Sequence, residues 1–200
     1  MTAQDTPALF QERERRNNLT TFDTLLERNQ DFAAHHFLKD LSMMPNLRIM
    51  IIGCVDPRVD PAHVLGLGLG DAIVIRNIGG RVTPATLETI GMLGGIAQRA
   101  GGGPPTGFHL IVLQHTHCGI AHLEGQTDML ASYFGIDQEE VAAQAVTNPH
   151  AAVAVDVAAL KATLTLPESW LVSGLVYDVT TGQIEVVVPP APQSHAERPA

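Results

Sequence analysis

Three almost wholly apolar segments, separated by helical patterns, constrain the fold of this chain more than any other feature. Residues 47–53, 72–76 and 108–114 are of strand length and contain few polar side chains. Such strands are typical of parallel sheets, because helices cover both faces of the sheet. A helix is predicted at residues 84–99, so strand and helix alternate. The sequence therefore predicts an α/β fold with a mostly parallel central sheet flanked by helices.

The two ends of the chain depart from this alternation. Leu19, Phe22 and Leu26 recur at helical spacing, which predicts an N-terminal helical arm whose apolar stripe packs on a partner. Residues 170–179 and 183–188 are rich in strand-forming residues and flank a turn, which predicts a β-rich C-terminal edge.

The remaining segments complete a single predicted domain spanning residues 1–200. Further helices are predicted at residues 127–135 and 138–164, the second interrupted near Asn148 and Pro149. We expect a flexible glycine-rich loop at residues 101–107 and disordered tails at residues 1–7 and 189–200.

Composition excludes several function classes. The 200 residues are 45% hydrophobic and carry a net charge of −9, so we expect neither a nucleic-acid partner nor a membrane partner. No apolar run reaches the roughly 18 residues that a membrane span needs. The polar first residues lack the apolar core of a signal peptide, so we expect a cytoplasmic protein.

Two predicted strand ends carry residues that suit a metal ion. Cys54 follows the strand at residues 47–53, and His115 and Cys118, spaced as in one helical turn, follow the strand at residues 108–114. Strands of an α/β sheet place their binding sites at these ends. Two thiolates and one imidazole suit zinc, and three protein ligands leave one tetrahedral position open for chemistry. The sequence predicts one catalytic Zn²⁺ per chain.

A carboxylate and a guanidinium accompany the first ligand. In an extended segment, Cys54, Asp56 and Arg58 would point to one side. Pro57 favours extension of the residue before it. The spacing therefore predicts that Asp56 and Arg58 form a catalytic pair beside the metal.

The same residues have plainer interpretations. A buried cysteine is often only a small apolar side chain, and His115 could be a buried histidine with its hydrogen bonds satisfied. A disulfide between Cys54 and Cys118 is disfavoured in a reducing cytoplasm. The presence of Asp56 and Arg58 in the same segment favours the metal site.

Both segments resemble the hallmark of the β-class carbonic anhydrases, which is Cys-x-Asp-x-Arg followed farther along the chain by His-x-x-Cys. The matching residues are Cys54, Asp56, Arg58, His115 and Cys118. Residues 74–80 and 174–182 are also similar to that family, and the resemblance covers about residues 20–188.

The resemblance implies that Cys54, His115 and Cys118 hold zinc and that Asp56 and Arg58 form a dyad beside it. It implies the interconversion of carbon dioxide and bicarbonate. It also implies a homodimer or tetramer whose protomers exchange their N-terminal helices.

Three positions depart from the family's pattern. Pro57 replaces a frequent serine, Met43 a frequent glutamine and His117 a frequent aspartate. The loop at residues 101–107 is longer than usual. These departures bear on substrate preference and rate more than on the reaction.

Zinc lowers the pKa of bound water, so zinc-bound hydroxide could attack carbon dioxide near neutral pH. Asp56 would orient that hydroxide, and Arg58 would keep Asp56 ionised and off the metal. If the pair broke, Asp56 could become the fourth ligand, a hypothesis that metal-bound structures at low and high pH would test. His63, His117 and His122 are candidate proton relays.

Two other functions remain open on the same residues. A carbonyl sulfide or carbon disulfide hydrolase would use the same zinc site, and Met43 makes this substrate class reasonable. A zinc- or redox-responsive binding protein would use Cys54 and Cys118 without needing Asp56. A nucleotide-binding loop is excluded at residues 66–70, because this glycine-rich segment precedes a strand instead of following one.

Overall fold

The structure, a computed structural model, describes residues 7–100, 107–163, 166–167 and 169–192, with side chains described from residue 20 onward. The strands in these ranges are β1 (Ile49–Cys54), β2 (Ala72–Asn77), β3 (His109–His115), β4 (Leu171–Tyr177) and β5 (Ile184–Pro192). The α-helices there are α1 (Pro7–His35), α2 (Pro61–Val64), α3 (Pro84–Arg99), α4 (Thr127–Phe134) and α5 (Pro149–Lys161). Short 3-10 helices cover Pro57–Val59, Ile78–Gly80, Gly119–Leu123 and Gln138–Gln144.

The strands form one sheet in the order β2-β1-β3-β4-β5. Neighbouring strands from β2 to β4 run parallel, and β5 runs antiparallel to β4. The register sets Gly53 opposite Leu113 and Cys54 opposite Asn77, so the carboxyl ends of the first three strands meet at one edge. The predicted α/β class, with its mostly parallel sheet flanked by helices, is confirmed, and the predicted β-rich C-terminal edge is the antiparallel pair of β4 and β5.

The core lies on the sheet and explains why its strands are so apolar. Helix α5 packs on β3 and β4, and it approaches β4 closely at Gly174, where an added Cβ would lie 2.9 Å from Val153. Phe108 and Trp170 stack with ring centroids 4.7 Å apart. Almost fully buried residues of this cluster include Met50, Ile52, Leu110, Val112, Val153, Leu160 and Val172.

The predicted helix at residues 138–164 is two elements. A 3-10 helix ends at Gln144, Ala145 adopts a left-handed φ of 49°, and α5 begins at Pro149. The Asn148 side chain caps α5 by accepting hydrogen bonds from the backbone N–H groups of His150 and Ala151. An asparagine cap followed by proline at the first helical position starts a new helix.

By its internal contacts the chain divides into two compact units, Met1–Leu41 and Ser42–Ala200. The first unit contains the predicted helical arm, and its Phe22 and Leu25 side chains are 58% and 56% exposed. Among the described residues, none of the helices combines the length and apolar character that a membrane crossing requires.

Most residues of the predicted loop and tails lie outside the described ranges. These are residues 101–106 of the glycine-rich loop, 1–6 of the first tail and 193–200 of the second. Of the remaining tail residues, Pro7 begins α1 and residues 189–192 belong to β5.

Candidate metal centre

Three side chains from two neighbouring strands converge at the carboxyl edge of the sheet. Cys54 is the last residue of β1 and His115 the last residue of β3, and these strands are adjacent and parallel. Cys118 follows β3 after a turn in which His117 has a φ of 53°. The i, i+3 spacing of His115 and Cys118 is thus that of a turn containing a left-handed residue, and not that of a regular helical turn.

The spacing of the three ligand atoms fits a tetrahedral zinc ion. The Sγ atoms of Cys54 and Cys118 lie 3.7 Å apart, and all three ligand atoms lie within 4.8 Å of one another. Two sulfurs bound tetrahedrally to zinc at about 2.3 Å lie roughly 3.8 Å apart. Cys54 and His115 are 4% and 1% exposed, so the cluster is largely shielded from water.

The His115 ring is oriented as a metal ligand. Its Nδ1 lies 2.9 Å from the carbonyl oxygen of Thr116, which favours the tautomer that carries the proton on Nδ1. Its Nε2 is buried and has no hydrogen-bond partner among the described residues. An unpaired buried nitrogen is costly in a protein interior, and a metal ion would satisfy it.

The two thiols form a pair that favours one negative charge and resists a second. The hydrogen bond from the Cys118 thiol outweighs the effect of burial and, together with the backbone N–H of Asp56, lowers the pKa of Cys54 to about 4. The adjacent Cys54 thiolate, together with burial, raises the pKa of Cys118 well above its ordinary value. Two thiolates here would require a cation between them, and a bound metal ion such as zinc would supply that charge.

Asp56 and Arg58 form a bidentate pair beside this cluster. Arg58 donates from Nε to Oδ1 of Asp56 at 3.0 Å and from Nη2 to Oδ2 at 2.6 Å. These hydrogen bonds hold the pKa of Asp56 at about 2. Oδ2 of Asp56 also lies 4.0 Å from Nε2 of His115, so the carboxylate faces the ligand cluster.

The backbone reaches this pairing by a different route from the predicted extended segment. Asp56 itself is extended, with φ −52° and ψ 126°, as expected before proline. Pro57 then starts a 3-10 helix, and the Asp56 carboxylate caps it by accepting from the backbone N–H of Arg58 at 2.9 Å. Arg58 also donates to the carbonyl oxygen of His117 at 3.0 Å, which ties the two ligand-bearing segments together.

Residues outside the predicted set support the site. Arg76 of β2 donates to the backbone carbonyls of both Cys54 and Asp56, and Asp60 anchors its guanidinium. A basic residue near the carboxyl end of an otherwise apolar strand is the sequence signal that could have identified Arg76.

The candidate proton relays lie in different places. His117 lines a cavity of about 410 Å³ together with His115 and Cys118. His63 has a side chain that is 89% exposed, and its Nδ1 lies 3.6 Å from Asp60. His122 is exposed on the 3-10 helix that follows Cys118.

The chain is similar to carbonic anhydrases in both sequence and structure. The sequence model of the carbonic anhydrase family matches residues 49–184. Beta-carbonic anhydrase 1 of Mycobacterium tuberculosis is 36% identical over 102 residues, which are 51% of this chain and 57% of that protein. Carbon disulfide hydrolase of Saccharolobus solfataricus is 31% identical over 117 residues, or 56% and 48% of the two chains.

A solved structure covers more of the chain. A carbonic anhydrase from Streptococcus mutans is 31% identical, with a TM-score of 0.63, over 83% of this chain and 96% of that one. This chain belongs to the β-class carbonic anhydrase family. It spans about half the length of the curated relatives it matches.

Proposed function

We propose that this protein catalyses the reversible hydration of carbon dioxide to bicarbonate and a proton, with Zn²⁺ held by Cys54, His115 and Cys118. The observation that carries the proposal is the Cys–His–Cys cluster, in which Cys54 and His115 are buried and Cys118 is half-buried, with an ionised Asp56 facing it. Three ligands leave a tetrahedral metal one position for a reacting water. Family membership supports the same reaction.

Asp56 and Arg58 have different roles around the reacting water. Bound zinc supplies the acidification of water near neutral pH. Asp56, whose low pKa keeps it ionised, accepts a hydrogen bond from that water and orients it toward carbon dioxide. Arg58 holds both oxygens of Asp56, which restrains the carboxylate from moving onto the metal.

Stopped-flow hydration of carbon dioxide by metal-analysed protein tests this proposal. We expect fast hydration at one zinc per chain, and a loss of about 10²-fold or more in Asp56→Asn, which keeps the side-chain shape but not the charge. Arg99→Lys is the matched control, because Arg99 is exposed on α3 and donates to the carbonyl oxygen of Gly95 in its own helix. Full zinc content without hydration at neutral or alkaline pH would refute the proposal.

A second substrate class shares the chemistry of this site. Carbon disulfide hydrolase of Saccharolobus solfataricus is among the relatives, at 31% identity. Carbon dioxide, carbonyl sulfide and carbon disulfide are linear molecules whose central carbon is attacked by the same nucleophile. Release of hydrogen sulfide from carbon disulfide by the zinc-loaded protein, faster than carbon dioxide hydration, would favour this alternative.

We further propose that the protein is a homodimer or a tetramer. The proposal is supported by apolar residues of the first unit that are exposed in a single chain. Five of them are each more than 45% exposed: Phe22, Leu25, Leu26, Phe37 and Leu38. Light scattering coupled to size-exclusion chromatography measures the mass directly. A mass of one chain, 21.4 kDa, at micromolar concentration would contradict the proposal.

A further inference from the structure

One arginine outside the ligand and dyad residues holds the backbone between them. Arg76 donates from Nε to the carbonyl oxygen of Cys54 at 2.8 Å and from Nη2 to the carbonyl oxygen of Asp56 at 2.8 Å. Its third nitrogen, Nη1, donates to Oδ2 of Asp60 at 2.6 Å. All three nitrogens of one rigid guanidinium are therefore engaged around a single turn of the chain.

These contacts begin where the hydrogen bonds of the sheet end. Cys54 is the last residue of β1, and the backbone N–H of Val55 still bonds to Asn77 of β2 at 2.9 Å. Beyond that point the chain leaves the sheet and turns into the 3-10 helix. Arg76, the neighbour of Asn77 on β2, supplies the donors that the ladder no longer provides, so the turn remains attached to the sheet.

We propose that Arg76 is a positioning residue that sets the place of the Asp56 carboxylate relative to the metal ligands. The inference rests on the proposed hydration function. The carbonyl groups of Cys54 and Asp56 lie on either side of Val55, and both accept hydrogen bonds from the guanidinium of Arg76. Because that guanidinium is planar and rigid, it fixes the backbone dihedral angles between the two carbonyls. The guanidinium of Arg76 bonds to the backbone of Cys54 and Asp56 and to Asp60, so it acts on the site through the position of Asp56.

Asp60 completes this arrangement by fixing the guanidinium. Its Oδ2 accepts from Arg76, while its Oδ1 caps α2 by accepting from the backbone N–H of Ala62 at 2.9 Å. Lysine keeps the charge but not the planar fork of donors. An ammonium group at position 76 therefore cannot hold both carbonyls and Asp60 in the same geometry.

A double-mutant cycle tests the proposal on the zinc-loaded protein. We expect Arg76→Lys to lower kcat for carbon dioxide hydration about 10-fold or more with little change in KM, because a misplaced catalytic group slows the chemical step. In the Asp56→Asn background, the same change should cost less than about 2-fold, because the residue through which Arg76 acts is already disabled. Zinc content should remain one per chain, and Arg99→Lys should change neither constant.

A second measurement does not depend on turnover. Hydrogen exchange followed by mass spectrometry should show faster exchange across residues 55–60 in Arg76→Lys, with the exchange of β3 unchanged. If the wild-type zinc protein hydrates no carbon dioxide, the proposed function fails, and the exchange result alone decides whether Arg76 holds the turn.

Three outcomes would overturn the positioning role. These are equal losses of kcat in the wild-type and Asp56→Asn backgrounds, an unchanged kcat, or unchanged exchange across residues 55–60. If Arg76→Lys fails to fold, Asp60→Asn is used in its place, because it removes the charged anchor of the guanidinium and leaves the two carbonyl contacts. We expect it to produce a smaller loss of kcat in the same direction, again absent in the Asp56→Asn background.

Discussion

A methyl group added at Gly80 is expected to displace the end of β1 that carries Cys54. Gly80 has a φ of 64°, and a Cβ built there would lie 2.9 Å from the backbone nitrogen of Cys54, 2.9 Å from the carbonyl carbon of Gly53 and 3.1 Å from the carbonyl oxygen of Leu113. These are backbone atoms of two paired strands. Backbone atoms in a sheet cannot move away by a change of side-chain rotamer.

The cost of Gly80→Ala has two parts. The left-handed backbone costs a non-glycine residue about 1–2 kcal/mol. Overlap with a packed backbone adds roughly 1–3 kcal/mol, the usual range for overpacking. Gly125→Ala isolates the first part, because Gly125 has a φ of 82° and nothing within 4 Å of its added Cβ. We therefore expect Gly80→Ala to lower the free energy of unfolding by about 2–5 kcal/mol and Gly125→Ala by about 1–2 kcal/mol.

Urea unfolding of both variants, with zinc and with a chelator, measures these differences. Zinc stabilises the folded protein by an amount that grows with the logarithm of its affinity for that state. Because Gly80→Ala moves Cys54, the stabilisation by zinc should be smaller in this variant than in Gly125→Ala. Equal unfolding free energies and equal zinc stabilisation in the two variants would refute the reasoning.

Three further predictions concern the contacts around the site. Asp156→Ala should lower the free energy of unfolding by about 3–5 kcal/mol, because it leaves the buried guanidinium of Arg81, whose Nε lies 2.7 Å from Oδ2 of Asp156, without its counter-charge. Urea titration measures the difference, and wild-type stability would contradict the prediction. The pKa of Asp56 is lowered to about 2, so its stabilising contribution is complete above about pH 4 and is lost as the pH falls toward 2. Acid titration of the metal-free protein should show a smaller loss over this range in Arg58→Gln, and identical losses would count against the pairing. At His117, with its φ of 53°, thermal unfolding should show His117→Val to be the less stable variant by about 1–2 kcal/mol and His117→Asn to be near wild type; equal melting temperatures would exclude backbone strain.

Local pattern was enough to predict much of the fold. The apolar runs at residues 108–114 and 72–76 correspond to β3 and β2 within one residue at each end. The helix at residues 84–99 is α3, where Pro84 suits the first helical turn and the Thr83 side chain caps it. These signals are carried by neighbouring residues, so they need no tertiary information.

Other features depended on contacts between distant segments. Asp156 of α5 accepts hydrogen bonds from Arg81, Gln114 and the backbone of Val82, and nothing in the local sequence of α5 specifies these partners. The turn at His117 was also missed, because the i, i+3 spacing of ligands is compatible with a helical turn and with a left-handed one.

The alternation of strands and helices, and the presence of Cys54, His115 and Cys118 after predicted strands, could be predicted from the sequence. The distance of 3.7 Å between two thiols that are 64 residues apart depends on the tertiary structure. The register of parallel strands sets that distance, and register is selected by side-chain packing across the whole sheet. The same packing brings Arg76 of one strand to the end of its neighbour, where it holds the turn that carries Asp56.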